Sequence, residues 1–169
     1  MNNSAENVSG KMQTQLPEAF GESAYPDIVY AEKRQAEEIA EIEKLIFSHA
    51  WNEQMIADSI DGAYDKVLVY TQDNCICGYI IYSVVCDSAD LLRVAVRPEY
   101  RRCGIGLMLM RRMIEDCRSL GALKIFLEVR ESNEPAGNMY RSLGFKEISR
   151  RKKYYSEPDE DGIVMQADL

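Results

Sequence analysis

One histidine, one tryptophan and an odd set of five cysteines are all that this 169-residue chain offers to chemistries built on those residues. A single histidine, His49, speaks against a metal site, so no bound metal is expected. Cys75, Cys77, Cys86, Cys103 and Cys117 are irregularly spaced, which argues against a disulfide framework. No apolar run approaches the roughly 18 residues that a membrane span needs. The opening stretch, MNNSAENVSGKMQTQLPEAF, lacks the basic-then-apolar pattern of an export signal. These absences point to a cytoplasmic protein with no membrane partner. A dense basic face is also missing, so no direct nucleic-acid partner is expected.

What is present suits one globular unit. Hydrophobic residues make up 46% of the chain and charged residues 28%, enough of each to bury a full core and keep a solvated surface. The net charge of −8 is unevenly placed. Residues 1–92 carry 16 acidic and 5 basic residues, whereas residues 93–169 carry 12 and 15. The acidic part suits a cationic partner and the basic part a phosphorylated ligand; a plain solvated surface fits as well.

Residues 1–25 are polar, aperiodic and broken by Gly10, Pro17 and Gly21, the pattern of a flexible arm. Residues 26–169 read as a single domain. A short strand at 27–31 precedes a helix over 34–48, where Ile39, Ile42, Leu45 and Ile46 form an apolar stripe with acidic residues opposite. Asn52 is a good N-cap for a second helix. Strands follow over 66–71, 75–85 and 91–96, the first two joined by the turn 72–74 and the last two by the turn 87–90. A helix over 104–120 buries Ile105, Leu109, Met113 and Cys117 and turns Arg111, Arg112 and Arg118 outward. A strand over 123–130, reached through that helix, should run parallel to the strand before it. A short helix over 135–143 and strands over 145–150 and 162–166 complete the order βααβββαβαββ, with KKYYSEPDED as a polar, mobile connection. The fold class is α/β (α+β): a mixed sheet of about seven strands, mostly antiparallel, with helices on both faces.

The stretch from Leu91 to Phe145 carries the chemistry. Arg101-Arg102-Cys103-Gly104-Ile105-Gly106 opens a helix. Its glycines admit a ligand close to the backbone, and the helix start adds free N–H groups and partial positive charge. Such a turn fits a pyrophosphate. It is neither a P-loop, since no Gly-Lys-Ser/Thr follows, nor the dinucleotide fingerprint, since the third glycine is missing. Cys103 sits beside arginines at a helix start, which lowers a thiol pKa, but no histidine base pairs with it. Cys75 and Cys77 read as packing residues.

The whole run resembles the GCN5-related N-acetyltransferase (GNAT) family. The likeness rests on Arg101, Gly104 and Gly106 after a strand, then Asn133, then Tyr140 in a helix ending Leu143-Gly144-Phe145. LEVRESN at 127–133, NMYRSLGF at 138–145, RRKKYYSEPDEDGIVM at 150–165 and HAWN at 49–52 are similar to the RimI-type ribosomal-protein alanine N-acetyltransferases. The resemblance implies acetyl-CoA as co-substrate. Main-chain groups of Val94, Ala95 and Val96 would hold its thioester and pantetheine arm. Arg101, Arg102, Cys103, Gly104, Ile105, Gly106 and Leu107 would hold its pyrophosphate, and Asn133 would contact the arm. Glu128 would be the general base and Tyr140 the general acid. Trp51, Tyr154 and Tyr155 would meet the acceptor, the N-terminal alanine of a ribosomal protein, with the enzyme a monomer or weak dimer. Glu128 equally fits a surface carboxylate paired with a neighbouring cation, and the four aromatics equally fit packing roles.

The chemistry asks for such a pair. An α-amine, with a pKa of about 7.7–8.0, is largely protonated at neutral pH and must lose that proton to attack. The departing thiolate takes one up. Two alternatives stand beside the N-terminal reading: acetylation of a lysine side chain or polyamine, and a module that binds acyl-CoA without turnover.

Overall fold

A computed structural model of the chain describes residue 25 and residues 27–169. The expected arm at 1–25 therefore lies outside the described residues except for Tyr25, whose hydroxyl meets Glu115 Oε1 at 3.3 Å and whose carbonyl accepts from Ile28 N.

The elements run β1 (Ile28–Tyr30), α1 (Ala36–Ile46), α2 (Glu53–Asp61), β2 (Asp65–Gln72), β3 (Cys75–Val85), β4 (Ser88–Val96), α3 (Ile105–Ser119), β5 (Lys124–Arg130), α4 (Glu134–Ser142), β6 (Lys146–Tyr155) and β7 (Glu160–Asp168). Short 3-10 turns at Lys33–Gln35 and Pro98–Tyr100 lead into α1 and into the segment before α3. The seven strands form one sheet in the order β1-β2-β3-β4-β5-β7-β6. Every neighbouring pair is antiparallel except β4 and β5. The expected mixed sheet and element order are both found.

β3 explains why the sheet is covered on both faces. Its run CICGYIIYSVV is apolar almost throughout, as a strand buried on two sides must be. Ile80 and Tyr82 face α3, where they join Leu109, Met110, Met113 and Cys117. Tyr79 and Ile81 point the other way, to Ile39 and Ile42 of α1 and Ile56 of α2. Gly78 permits this closeness: a Cβ there would lie 2.9 Å from the Ala95 carbonyl oxygen and 3.2 Å from Ile105. The cap expected of Asn52 is present, its Oδ1 accepting from Met55 N at 2.9 Å.

Four local expectations change. β4 starts at Ser88, not Leu91, because β3 and β4 join through only Cys86 and Asp87, with Cys86 left-handed at φ 56°. The polar Ser-Ala-Asp run hid the strand, yet Ala89 is fully buried. β6 runs on to Tyr155, so the expected connection KKYYSEPDED is mostly strand, and only residues 156–159 link β6 to β7. On α1, Glu43 leaves the acidic outer face and is wholly buried. On α3, Arg112 also turns inward, because Asp116 one turn later receives its Nε at 2.8 Å.

That Asp116 carboxylate, 1% exposed, also accepts from the hydroxyls of Tyr30 at 2.7 Å and Tyr82 at 2.8 Å, tying α3 to β1 and β3. Removing it takes the acceptor from the buried Tyr82 hydroxyl, from Arg112 Nε and from the part-buried Tyr30 hydroxyl. Asp116→Ala is expected to lower the unfolding free energy by roughly 3–5 kcal/mol in urea denaturation. A loss under about 1 kcal/mol would show that the network adds no net stability.

Candidate active site

The parallel pairing of β4 with β5 lasts for three residues, Ser88, Ala89 and Asp90 against Lys124, Ile125 and Phe126. Beyond Asp90 the two strands part. Leu92 is an extra residue in β4, a bulge that turns the strand at the same point. The fork opens into a cleft of about 1430 Å³. Its floor is β4 and β5. One wall is the α1–α2 connection, residues 47–51, and the other is the β6–β7 end, residues 151–160.

Of the residues singled out in the sequence, Val94, Glu128, Asn133, Tyr140, Trp51, Tyr154 and Tyr155 all line this cleft. Alternation on β5 sorts them: Ile125, Leu127 and Val129 go into the α3 core, while Phe126, Glu128 and Arg130 face the cleft. Glu128 lies 2.8 Å from Arg151 Nη1 on β6, and not against Lys124 or Arg130. Tyr154 leans on the same carboxylate. Its phenol is pushed above the ordinary range first by a hydrogen bond to Glu128 and then by desolvation. Tyr155 is half-buried, with the Arg130 guanidinium 4.4 Å from its ring centre. Its phenol is pushed up by desolvation and by the Glu128 charge.

Tyr140 lies on α4, only 4% exposed, with its ring 6.0 Å from that of Phe145. Burial, and then the nearby Tyr155, hold its phenol above the usual tyrosine range, so it keeps its proton. Asn133 caps α4: its Oδ1 accepts from Ala136 N at 3.3 Å, and Gly144 ends the segment at φ 91°.

Ala95, Val96 and the turn 101–107 stand outside the cleft lining, farther along β4. Ala95 is buried on the α1/α2 side, and the Val96 carbonyl accepts from Arg101 Nε at 3.1 Å. Arg102 and Gly104 are left-handed, at φ 66° and 83°, and no side chain caps the first turn of α3. Left-handed residues before an uncapped helix make a cradle of backbone N–H groups suited to an anion. Arg101, Arg102 and Cys103 are exposed around it, while the Ile105 side chain is buried, leaving only its main chain to the cradle. A Cβ on Gly106 would meet Met139 at 3.6 Å, so α3 and α4 pack closely there.

Several charged residues of the cleft went unnoticed in the sequence, Arg151, Arg93 and Asp90 among them. Arg151 holds Glu128. Arg93, on β4, reaches over the α1–α2 connection. Asp90 stands where the fork opens, its carboxyl pushed up by desolvation and by the Glu128 charge. None had a local sequence signal, since each partner is distant along the chain.

Residues 36–145 match the model of the Acetyltransferase (GNAT) family. The chain belongs to the GNAT family. Over 126 residues it is 36% identical to the ribosomal protein bS18-alanine N-acetyltransferase of Escherichia coli K12, spanning 73% of this chain and 84% of that protein. The namesake from Haemophilus ducreyi is 32% identical over 128 residues, 74% of this chain and 88% of its own. The crystal structure of the E. coli ribosomal-protein-S18-alanine N-acetyltransferase superposes with a TM-score of 0.78 at 32% identity, covering 84% of this chain and 92% of that one. As a GNAT member the protein is an acyltransferase. Among its described residues no helix is long and apolar enough to cross a membrane.

Its desolvated tyrosine hydroxyls give a pH prediction. Tyr30, Tyr79, Tyr82 and Tyr140 all have raised phenol pKa values, chiefly by desolvation, that of Tyr30 to about 12. An unfolded tyrosine ionises near 10. The folded state then holds more protons, so stability is full below about pH 10 and is lost as pH rises through 12. Tyrosinate absorbance is expected to rise in two groups, the later coinciding with loss of circular dichroism. Tyr140→Phe should remove one phenol from the later group and move unfolding to higher pH.

Proposed function

We propose that this acyltransferase moves the acetyl group of acetyl-CoA to the N-terminal α-amine of an alanine on a small-subunit ribosomal protein. The observation that carries the reading is that Glu128 and Tyr140 line one and the same cleft, opened by the β4–β5 fork. The names of the bS18-alanine acetyltransferases that the chain resembles supply the acceptor. Asp65, Asp90, Glu128, Glu157 and Glu160 outnumber Arg93, Arg130 and Arg151 around the cleft, an acidic balance that would favour a cationic peptide.

Acetyl-CoA, when bound, supplies a thioester whose C–S bond breaks as the amine nitrogen bonds to the acetyl carbon. The chain's residues do the rest. Edge groups of Val94, Ala95 and Val96, beyond the last β4–β5 pair, hold the carrier along the fork. The cradle from Arg101 to Leu107 takes its pyrophosphate, with Arg101 and Arg102 adding charge. Asn133, already committed through Oδ1 to Ala136 N, has its amide N–H₂ left for the carrier. Glu128, as general base, accepts the amine proton. Tyr140, protonated by virtue of its burial, gives its proton to the leaving sulfur. Trp51, Tyr154 and Tyr155 form the acceptor walls. Holding amine and thioester in line contributes much of the rate. We further propose a cytoplasmic monomer or weak dimer that uses no metal.

Two peptides test the reading through thiol release from acetyl-CoA. One has a free N-terminal alanine and no lysine; the other has a blocked N-terminus and one lysine. Turnover of the first alone is expected, with Glu128→Gln and Tyr140→Phe each lowering kcat by about 10²–10⁴-fold. Turnover of the second alone would replace the α-amine with a side-chain acceptor. No turnover of either would reduce the reading to a binding module.

A further inference from the structure

The α1–α2 connection forms a wall of the cleft without regular structure of its own. Something must hold it at a fixed distance from β4. Arg93 sits just past the Leu92 bulge, and its guanidinium carbon lies 4.8 Å from the Phe47 ring centre and 5.1 Å from that of Trp51. Its Nη2 donates to the His49 carbonyl at 3.3 Å. One guanidinium thus grips the connection at its start, middle and end.

Behind it lies Glu43, which is wholly buried. The Glu43 carboxylate accepts from the Tyr79 hydroxyl and, at 2.9 Å, from the backbone N–H of Trp51. Arg93 Nε stands 3.6 Å from that carboxylate yet makes no hydrogen bond, and it is the one buried side-chain polar atom without one among the described residues. The carboxylate's hydrogen bonds go to β3 and to the connection, while the guanidinium carbon lies over the two rings of the connection. A lysine could neutralise Glu43 but has no planar face to place between aromatics.

We infer that Arg93 is a positioning residue that, with Glu43 behind it, locks the 47–51 connection into place as a wall of the acceptor site. This rests on the acceptor reading given above. Across the cleft mouth His49 Nε2 lies 3.4 Å from Ser156 Oγ of the β6–β7 end, so a shift of the connection would alter the opening through which the amine enters. The phosphate cradle is on a different segment, and Val94, Ala95 and Val96 would meet the carrier through main-chain groups that a change of the Arg93 side chain leaves in place, so carrier binding should be little affected.

Trp51 is the chain's only tryptophan, so its fluorescence reports on this connection alone. Arg93→Met retains length and removes charge and planarity. Because it leaves Glu43 buried without its cation, the double variant Arg93→Met/Glu43→Gln is measured beside it and keeps the test valid if the single variant unfolds. In both, Trp51 emission is expected to shift to the red and acrylamide quenching to increase. Acceptor KM should rise about tenfold while acetyl-CoA KM stays within about twofold. Arg93→Lys should restore the fold without restoring the Trp51 signal. Wild-type quenching in a folded double variant would overturn the inference, as would an equal rise in both KM values. The fluorescence arm needs no substrate: if wild-type protein ignores alanine peptides, the acceptor assignment fails while the Arg93 lock is still judged by Trp51.

Discussion

The separation of β4 from β5 is the constraint on which the site depends. Two parallel strands that pair for three residues and then diverge leave edge groups without a strand partner on either side of the gap. Such groups are costly if buried without hydrogen bonds, so a fork of this kind persists only where solvent or a ligand can reach it. The bulge at Leu92 turns β4 at the point where the strands diverge, and the long helix α3 packs against β2, β3 and β4. The cleft is a consequence of backbone pairing; the side chains then specialise it.

That division explains what the sequence disclosed. Periodicity and punctuation located all seven strands and four helices, because β3 is apolar on both faces and Asn52, Gly121 and Gly144 mark ends locally. The phosphate-type cradle was legible because glycine is a local signal, and Gly104 does hold the left-handed conformation at its centre. Its other left-handed residue, Arg102, carried no such signal. Glu128 and Tyr140 were readable only through resemblance, since either could have been a surface carboxylate or a packing aromatic.

The misreadings share a cause. Glu43 looks like one more acid on an amphipathic helix, and Arg112 like one more outward arginine. Both are buried because partners from distant strands meet them: Tyr79 and Arg93 for Glu43, Tyr30 and Tyr82 for the Arg112–Asp116 pair. Long-range satisfaction of a buried charge leaves no trace in spacing. The same holds for Arg151, whose pairing with Glu128 joins two strands that have β7 between them.

β7, the last strand in sequence, lies between β5 and β6. Until it arrives, β6 has no neighbour in the sheet, and Arg151, Tyr154 and Tyr155 cannot be placed opposite Glu128. That wall of the cleft therefore depends on the last strand in the sequence, which joins β6 to β5. The backbone cradle before α3, by contrast, comes from sequence that directly follows β4. The cradle and the far wall of the cleft are thus built from separate stretches of the chain.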